Sequence, residues 1–231
     1  EIQIGPRRVT PICRLGDQDP NTNEALDWVE QHLDSFDRST DRLGIMALNA
    51  HKPNFQLTEV EMRIFDILSE RPHSIQELSF RLTGDLFRPV PLEQLEEQYA
   101  IQRCGLTPTD LLHIDEKMHL WNRSAAVRFC EIHCRLAQID PRDFVDSVLE
   151  QFINKLTMEI LKREMGGTCD GEDMDQSPSA AALFRNMMRG GDSDYQVRIR
   201  LKHPLIGIGA PVQHFLPQVA RILETEAVIP P

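Results

Sequence analysis

Hydrophobic positions along the chain recur at two spacings, the helical three-and-four and the alternating two, and glycine, proline and acidic clusters separate the runs. The first apolar stretch, IQIGPRRVTPICRL at 2–15, alternates poorly and holds a Gly-Pro turn, so it reads as a strand or a piece of β-hairpin. Asp17–Asn23, DQDPNTN, is a turn cluster from which Thr22 or Asn23 would cap a helix over about 24–36. Residues 43–48, LGIMAL, form a short apolar run that suits a strand.

Helix-start signals crowd the next stretch. Thr58 with Glu61 makes a capping box for EVEMRIFDILSE, whose apolar stripe is Val60, Ile64, Ile67 and Leu68. Ser74 with Glu77 makes a second box ahead of IQELSFRL. LEQLEEQYAIQRCG then reads as a third helix ending near Gly105. Thr107 with Asp110 makes another box, with Pro108 at the first helical position. Short helices joined by tight turns resemble a helix-turn-helix or winged-helix module. The bases that would hold DNA are sparse there: IQELSFRL offers only Arg81, and Glu93, Glu96 and Glu97 would repel phosphate.

Residues 121–166 read as helix almost throughout, interrupted at Asp140-Pro141. Residues 166–178, GGTCDGEDMDQSP, form an acidic solvated loop. Ser179–Met188 is a short helix that stops at Gly190-Gly191. From Val197 to Lys202 apolar and basic residues alternate, the mark of a half-buried strand. Leu205-Ile206 then meets Gly207-Ile208-Gly209-Ala210-Pro211, followed by a helix whose stripe is Val212, Phe215, Leu216, Val219 and Leu223, with Pro217 as a bend. Strand, glycine turn and helix together bring a ligand against bare main chain, or simply make a tight βα turn. The third glycine and the acidic residue of the dinucleotide fingerprint are missing.

Composition narrows the class. At 231 residues, 41% hydrophobic and 26% charged, the chain suits one large domain or two small ones. No apolar run is long enough to span a bilayer. A net charge of −11 argues against nucleic-acid phosphates as partners. Cys13, Cys104, Cys130, Cys134 and Cys169 are odd in number and scattered, which predicts reduced thiols in a cytoplasm. Glu1 and Pro230-Pro231 read as the cut ends of a longer protein.

Several clusters invite chemistry. Thr107, Thr109 and Asp110 would face a substrate or phosphate with hydroxyls and a carboxylate, or would simply start a helix. His113 stands one turn beyond Asp110, a spacing open to a nucleophile group, but no strained elbow accompanies it. Cys130, His133 and Cys134 share a helix face and would need His119 or Cys104 to complete a metal site. Val127, Cys130, Cys134 and Ala137 already make an apolar stripe there, so no metal is expected. A calcium loop opening at Asp170 would need glycine and glutamate where Asp175 and Ala181 stand.

PLIGIGAPVQHFLPQVARILETEAVIPP at the end resembles the hydantoinase/oxoprolinase family of the A-subunit type, as do RCGLTPTDLLHI at 103–114, WNRSAA at 121–126 and IGPRRVTPIC at 4–13. The similarity is weakest over 40–92. It implies an α/β chain that is part of an actin-like ATPase core with a helical, winged-helix-like insertion. Residues 1–50 would begin the core, 51–114 form the insertion and 115–231 supply the rest. It further implies an ATP- and Mg2+-dependent parent that opens a cyclic amide, a hydantoin or 5-oxoproline. A B-type subunit would be its partner. Gly207, Ile208, Gly209 and Ala210 match the family's element against the adenosine half of the nucleotide. The phosphate-gripping glycine loops would precede Glu1, since no GGG or DxGG stretch occurs here. The fragment alone would then be inactive. A non-catalytic ATP-binding scaffold and a winged-helix DNA-binding regulator are the other readings.

Overall fold

The structure, a computed structural model, describes residues 9–36, 43–49, 56–166, 177–189 and 194–230. They form a mixed α/β fold, mostly helical, with small sheets. The chain divides into a unit over Gly5–Asp146 and a unit made chiefly of Ser147–Pro231. Boundaries expected near 50 and 114 do not coincide with this division. Among the described residues no helix is long and apolar enough to cross a membrane.

The first unit is built on four strands: β1 (Val9–Pro11), β2 (Ile45–Leu48), β3 (His73–Ser74) and β4 (Ile101–Gly105), in the order β1-β4-β2-β3. β1 runs parallel to β4, with Thr10 opposite Cys104, while β2 is antiparallel to both β4 and β3. Side chains alternate across the sheet. Ile45, Ala47 and Cys104 enter a core with Ile12, Leu26, Phe129 and Ile132. Those partners lie on α1 (Ile12–Gln18), α2 (Thr22–Gln31) and, for the last two, a helix over Arg123–Ala137. Met46 and Ile101 enter a second core with Ile64, Leu68, Leu78 and Leu95. These come from α3 (Glu59–Glu70), α4 (Ile75–Thr83) and α5 (Glu93–Glu97). Helices thus cover both faces of the sheet.

Local signals hold where they depend on neighbours in sequence. Thr58 Oγ1 accepts from the Glu61 amide and Glu61 Oε2 accepts from the Thr58 amide, so that capping box forms in full. Ser74 accepts from the Glu77 amide at 3.0 Å, but the Glu77 carboxylate turns elsewhere. It takes two bonds from Arg71, at 2.5 and 3.2 Å, and lies 3.1 Å from His73 Nδ1. Arg71 also reaches Glu24 at 3.3 Å, tying the α3–α4 turn to α2.

Three expectations are corrected. Residues 12–15, the end of the stretch expected as a strand or hairpin, instead open α1 (Ile12–Gln18). The helix expected to reach Gly105 stops at Glu97; Tyr99 turns the chain at φ 54°, and β4 follows. β4 is covered on both faces, so it lacks the alternation that marks an exposed strand. Thr22 and Asn23 do not cap α2: Asn21 is its N-cap and bonds no helix amide through its side chain, while the Thr22 hydroxyl donates to the Asp19 carbonyl at 2.7 Å.

The unit continues with α6 (Pro108–Ile114), α7 (Arg123–Ala137) and the start of α8 (Pro141–Met165), within which the division falls. The second unit holds the rest of α8, α9 (Pro178–Arg189), β5 (Leu205–Ile206), α10 (Val212–Ile222) and β6 (Ala227–Val228). β5 and β6 pair in parallel with α10 between them, a small βαβ unit. Its core gathers Leu161, Val219 and Leu223 with Ile153, Phe184, Met187 and Leu201. The strand expected over 197–202 is absent as a ladder. Ile199 and Leu201 pack against the core, but the Val197 amide donates to Asn186 Oδ1 and the Leu201 amide to the Leu223 carbonyl, not to a neighbouring strand. The acidic stretch with the Asp170 calcium reading lies outside the described residues.

Burial pushes the Glu77 carboxyl up, but the bonds from His73 and Arg71 outweigh it and hold it below the usual range. Such a group stabilises the fold above the unfolded pKa, about 4.3, and loses that contribution as pH falls through its lower folded value. Glu77→Gln should lower stability at pH 7 by about 3 kcal/mol and flatten the acid limb, read from urea midpoints between pH 3 and 7.

Candidate functional site

The Gly207–Ala210 bend leaves β5 and enters α10 as its residues dictate, yet its two glycines do different work. The Gly207 amide donates to the Val228 carbonyl at 2.9 Å, within the sheet. A Cβ at Gly207 would sit 2.2 Å from Val212 Cγ1 and 2.7 Å from Leu216 Cδ2, so glycine here allows the helix to close on the strand. Gly209 adopts φ 113°, a conformation that disfavours side chains, and no other atom lies within 4 Å of where its Cβ would be. Its carbonyl accepts from the Val212 amide at 3.2 Å. Ile208 is 85% exposed, and Ala210 is exposed as well. Open main chain is therefore offered at 208–210, whereas 207 is sealed beneath α10.

The second candidate stands where β1 and β4 end side by side and feed α1 and α6. Thr107 and Asp110 form a complete capping box: Thr107 Oγ1 accepts from the Asp110 amide, and Asp110 Oδ2 accepts from the Thr107 amide at 2.7 Å. Asp110 Oδ1 accepts from the Cys13 amide at 2.8 Å, across 97 positions of sequence. The carboxylate is fully buried and joins the starts of two helices on adjacent strands. Thr109 is half-buried, and its carbonyl accepts from His113 Nδ1 at 2.8 Å. His113 Nε2 accepts from the amides of Leu120 and Trp121 at 3.2 and 3.1 Å, which assigns the neutral Nδ1–H tautomer. With both ring nitrogens engaged, His113 has no lone pair to offer a nucleophile, and the geometry favours the helix-start reading of this cluster.

Burial pushes the Asp110 carboxyl up, opposed by its bonds from Cys13 and Thr107. The Cys13 and Cys104 thiols are pushed up too, first by burial and then by the Asp110 charge, Cys104 to about 12. Both are packing residues rather than reactive thiolates. Cys130 and Cys134 lie with sulfurs 4.0 Å apart in the buried face of α7. His133 sets its ring edge-on to Phe129 at 4.9 Å, and burial pushes it down to about 4. Among the described residues no three His, Cys, Asp or Glu side chains converge to hold a metal ion.

Nothing local in the sequence links the Cys13 amide to Asp110, so that bond was not legible before the fold. The Arg71–Glu77–His73 contact was hidden behind a capping signal that only half forms. Comparison with known protein families, curated proteins and solved structures finds no significant match.

Asp110→Ala should destabilise the protein by about 2–4 kcal/mol by stranding buried donors, measured by denaturant unfolding. Native Asp110 holds its proton to higher pH than the unfolded carboxyl does, so its contribution falls as pH rises from about 3.9 through the folded value. That component disappears in Asp110→Ala. Gly207→Ala should lose about 1–3 kcal/mol through the clash with Val212 and Leu216, visible as a lowered Tm.

Proposed function

We propose that the chain is the adenosine-side part of an actin-like ATPase core, within an ATP-dependent hydrolase that opens a cyclic amide of hydantoin or 5-oxoproline type. The observation that carries this reading is the bend itself. Positions 208–210 offer exposed main chain between a strand and a helix, and Gly209 presents a surface with no side chain. A flat purine could approach that surface to van der Waals distance, which a side chain at 209 would prevent. The motif resemblance at the start, middle and end of the chain points the same way.

ATP fits this chain as a binding partner through the bend. Among the described residues no three His, Cys, Asp or Glu side chains converge, so Mg2+ falls, on this reading, to the phosphates and the remainder of the parent. The chain's contribution is a wall that orients the nucleoside, while phosphoryl activation of the amide carbonyl and attack by water belong to the remainder of the parent. A B-type subunit remains part of the proposal. The DNA-binding alternative is weakened because Arg81, the base on α4, is engaged by Glu70 at 2.7 Å.

Adenosine and ATP titrated into the labelled chain should shift the amide resonances of Gly207–Ala210. Ala210→Trp, at an exposed position, should abolish those shifts and leave Tm unchanged. Shifts confined to other residues, or none at millimolar nucleoside, would overturn the reading.

A further inference from the structure

The segment between α9 and β5 is bonded to its own unit at three points along one edge, through Tyr195, Val197 and Leu201. The Asn186 side-chain amide acts as a surrogate peptide, donating to the Tyr195 carbonyl at 2.9 Å and accepting from the Val197 amide at 2.8 Å. Further along the same edge, the Leu201 amide donates to the Leu223 carbonyl at 3.0 Å. Ile199 and Leu201 pack into the core of this unit. Consecutive amides of an extended chain point to opposite edges. Those of Arg198 and Arg200 therefore lie on the other edge, and neither they nor the Lys202 amide at the bend beyond have a partner among the described residues.

The side chains of Arg198 and Arg200 are exposed and, two residues apart, share one face at a spacing of roughly 7 Å, and Lys202 is exposed at the bend that follows. Arg198 bonds Gln196 at 3.2 Å and meets Glu224 only at 3.7 Å. Arg200 and Lys202 have no carboxylate partner among the described residues. With His203, Leu201, Pro204, Leu205 and Glu164 they line an open groove of about 340 Å³. In a chain of net charge −11 this is a local concentration of positive charge.

We propose that this edge docks an extended acidic segment of a partner protein, which pairs as an added strand and sets alternate Asp or Glu side chains against Arg198, Arg200 and Lys202. An unpaired peptide edge matches a peptide, and the alternating cations match carboxylates at the same period. A second copy would bring the same cations into opposition and is repelled. Nucleic acid would match the charges but has no peptide groups to pair with the open amides. The inference is independent of the nucleotide reading.

The probe is a fluorescein-labelled peptide of alternating Glu and Thr, titrated into the full chain and followed by anisotropy. Saturable binding is expected, weakened at least tenfold by combined Arg198→Gln, Arg200→Gln and Lys202→Gln changes. A similar loss is expected when alternate peptide amides are N-methylated. Tm of the triple variant reports that the fold is kept, and should it fall, Lys202→Gln alone should still weaken binding at least twofold. No saturable binding, equal binding of the N-methylated peptide, or tighter binding of a single-stranded oligonucleotide of equal charge would overturn the proposal.

Discussion

A carboxylate that never reaches solvent joins two parts of the first unit that lie far apart in sequence. Asp110 accepts from its own helix start at Thr107 and from the Cys13 amide at the start of α1. β1 and β4 are parallel neighbours, each turning directly into a helix, so their ends bring polar main chain together inside the protein. Buried amides must be bonded, and one acidic side chain answers for donors of both helices. The rest of the sheet follows from that junction: β4 is held against β1 on one side and β2 on the other, with helices covering both faces.

This constraint also explains why the Thr107–Asp110 cluster is chemically quiet. Its residues have the types expected of a ligand site, yet each hydrogen-bonding group of Asp110 and His113 already has a protein partner. By contrast, the bend at 208–210 has polar main chain at the surface and no side chain over Gly209. Where hydrogen-bonding capacity is spent internally it stabilises the fold, and where it stays open it is available to a ligand. The same distinction separates the two edges of the segment before β5.

The parts of the fold that could be read from sequence are those governed by neighbours three or four residues apart. The Thr58–Glu61 and Thr107–Asp110 boxes, the breaks at Asp140-Pro141 and the entry into α10 after Pro211 are all local. β4 was illegible because a strand buried on both faces shows no alternation, and the glutamates before it suit a helix. The segment over 197–202 did alternate as a strand does, but Asn186 and Leu223 took its inner bonds, so no ladder formed. For the candidate site, sequence revealed the strand–glycine–helix order but not that Gly207 serves packing while Gly209 serves exposure.

By itself, then, the sequence determined where the capped helices α3 and α6 begin and which face of α10 is apolar, because capping and periodicity act within a few residues. Tertiary structure alone decided that Cys13 meets Asp110, that Glu77 abandons its capping box for Arg71, and that Arg200 and Lys202 line an open groove. Those outcomes depend on which distant groups compete for the same hydrogen bonds once water has been excluded, and no local pattern encodes that competition.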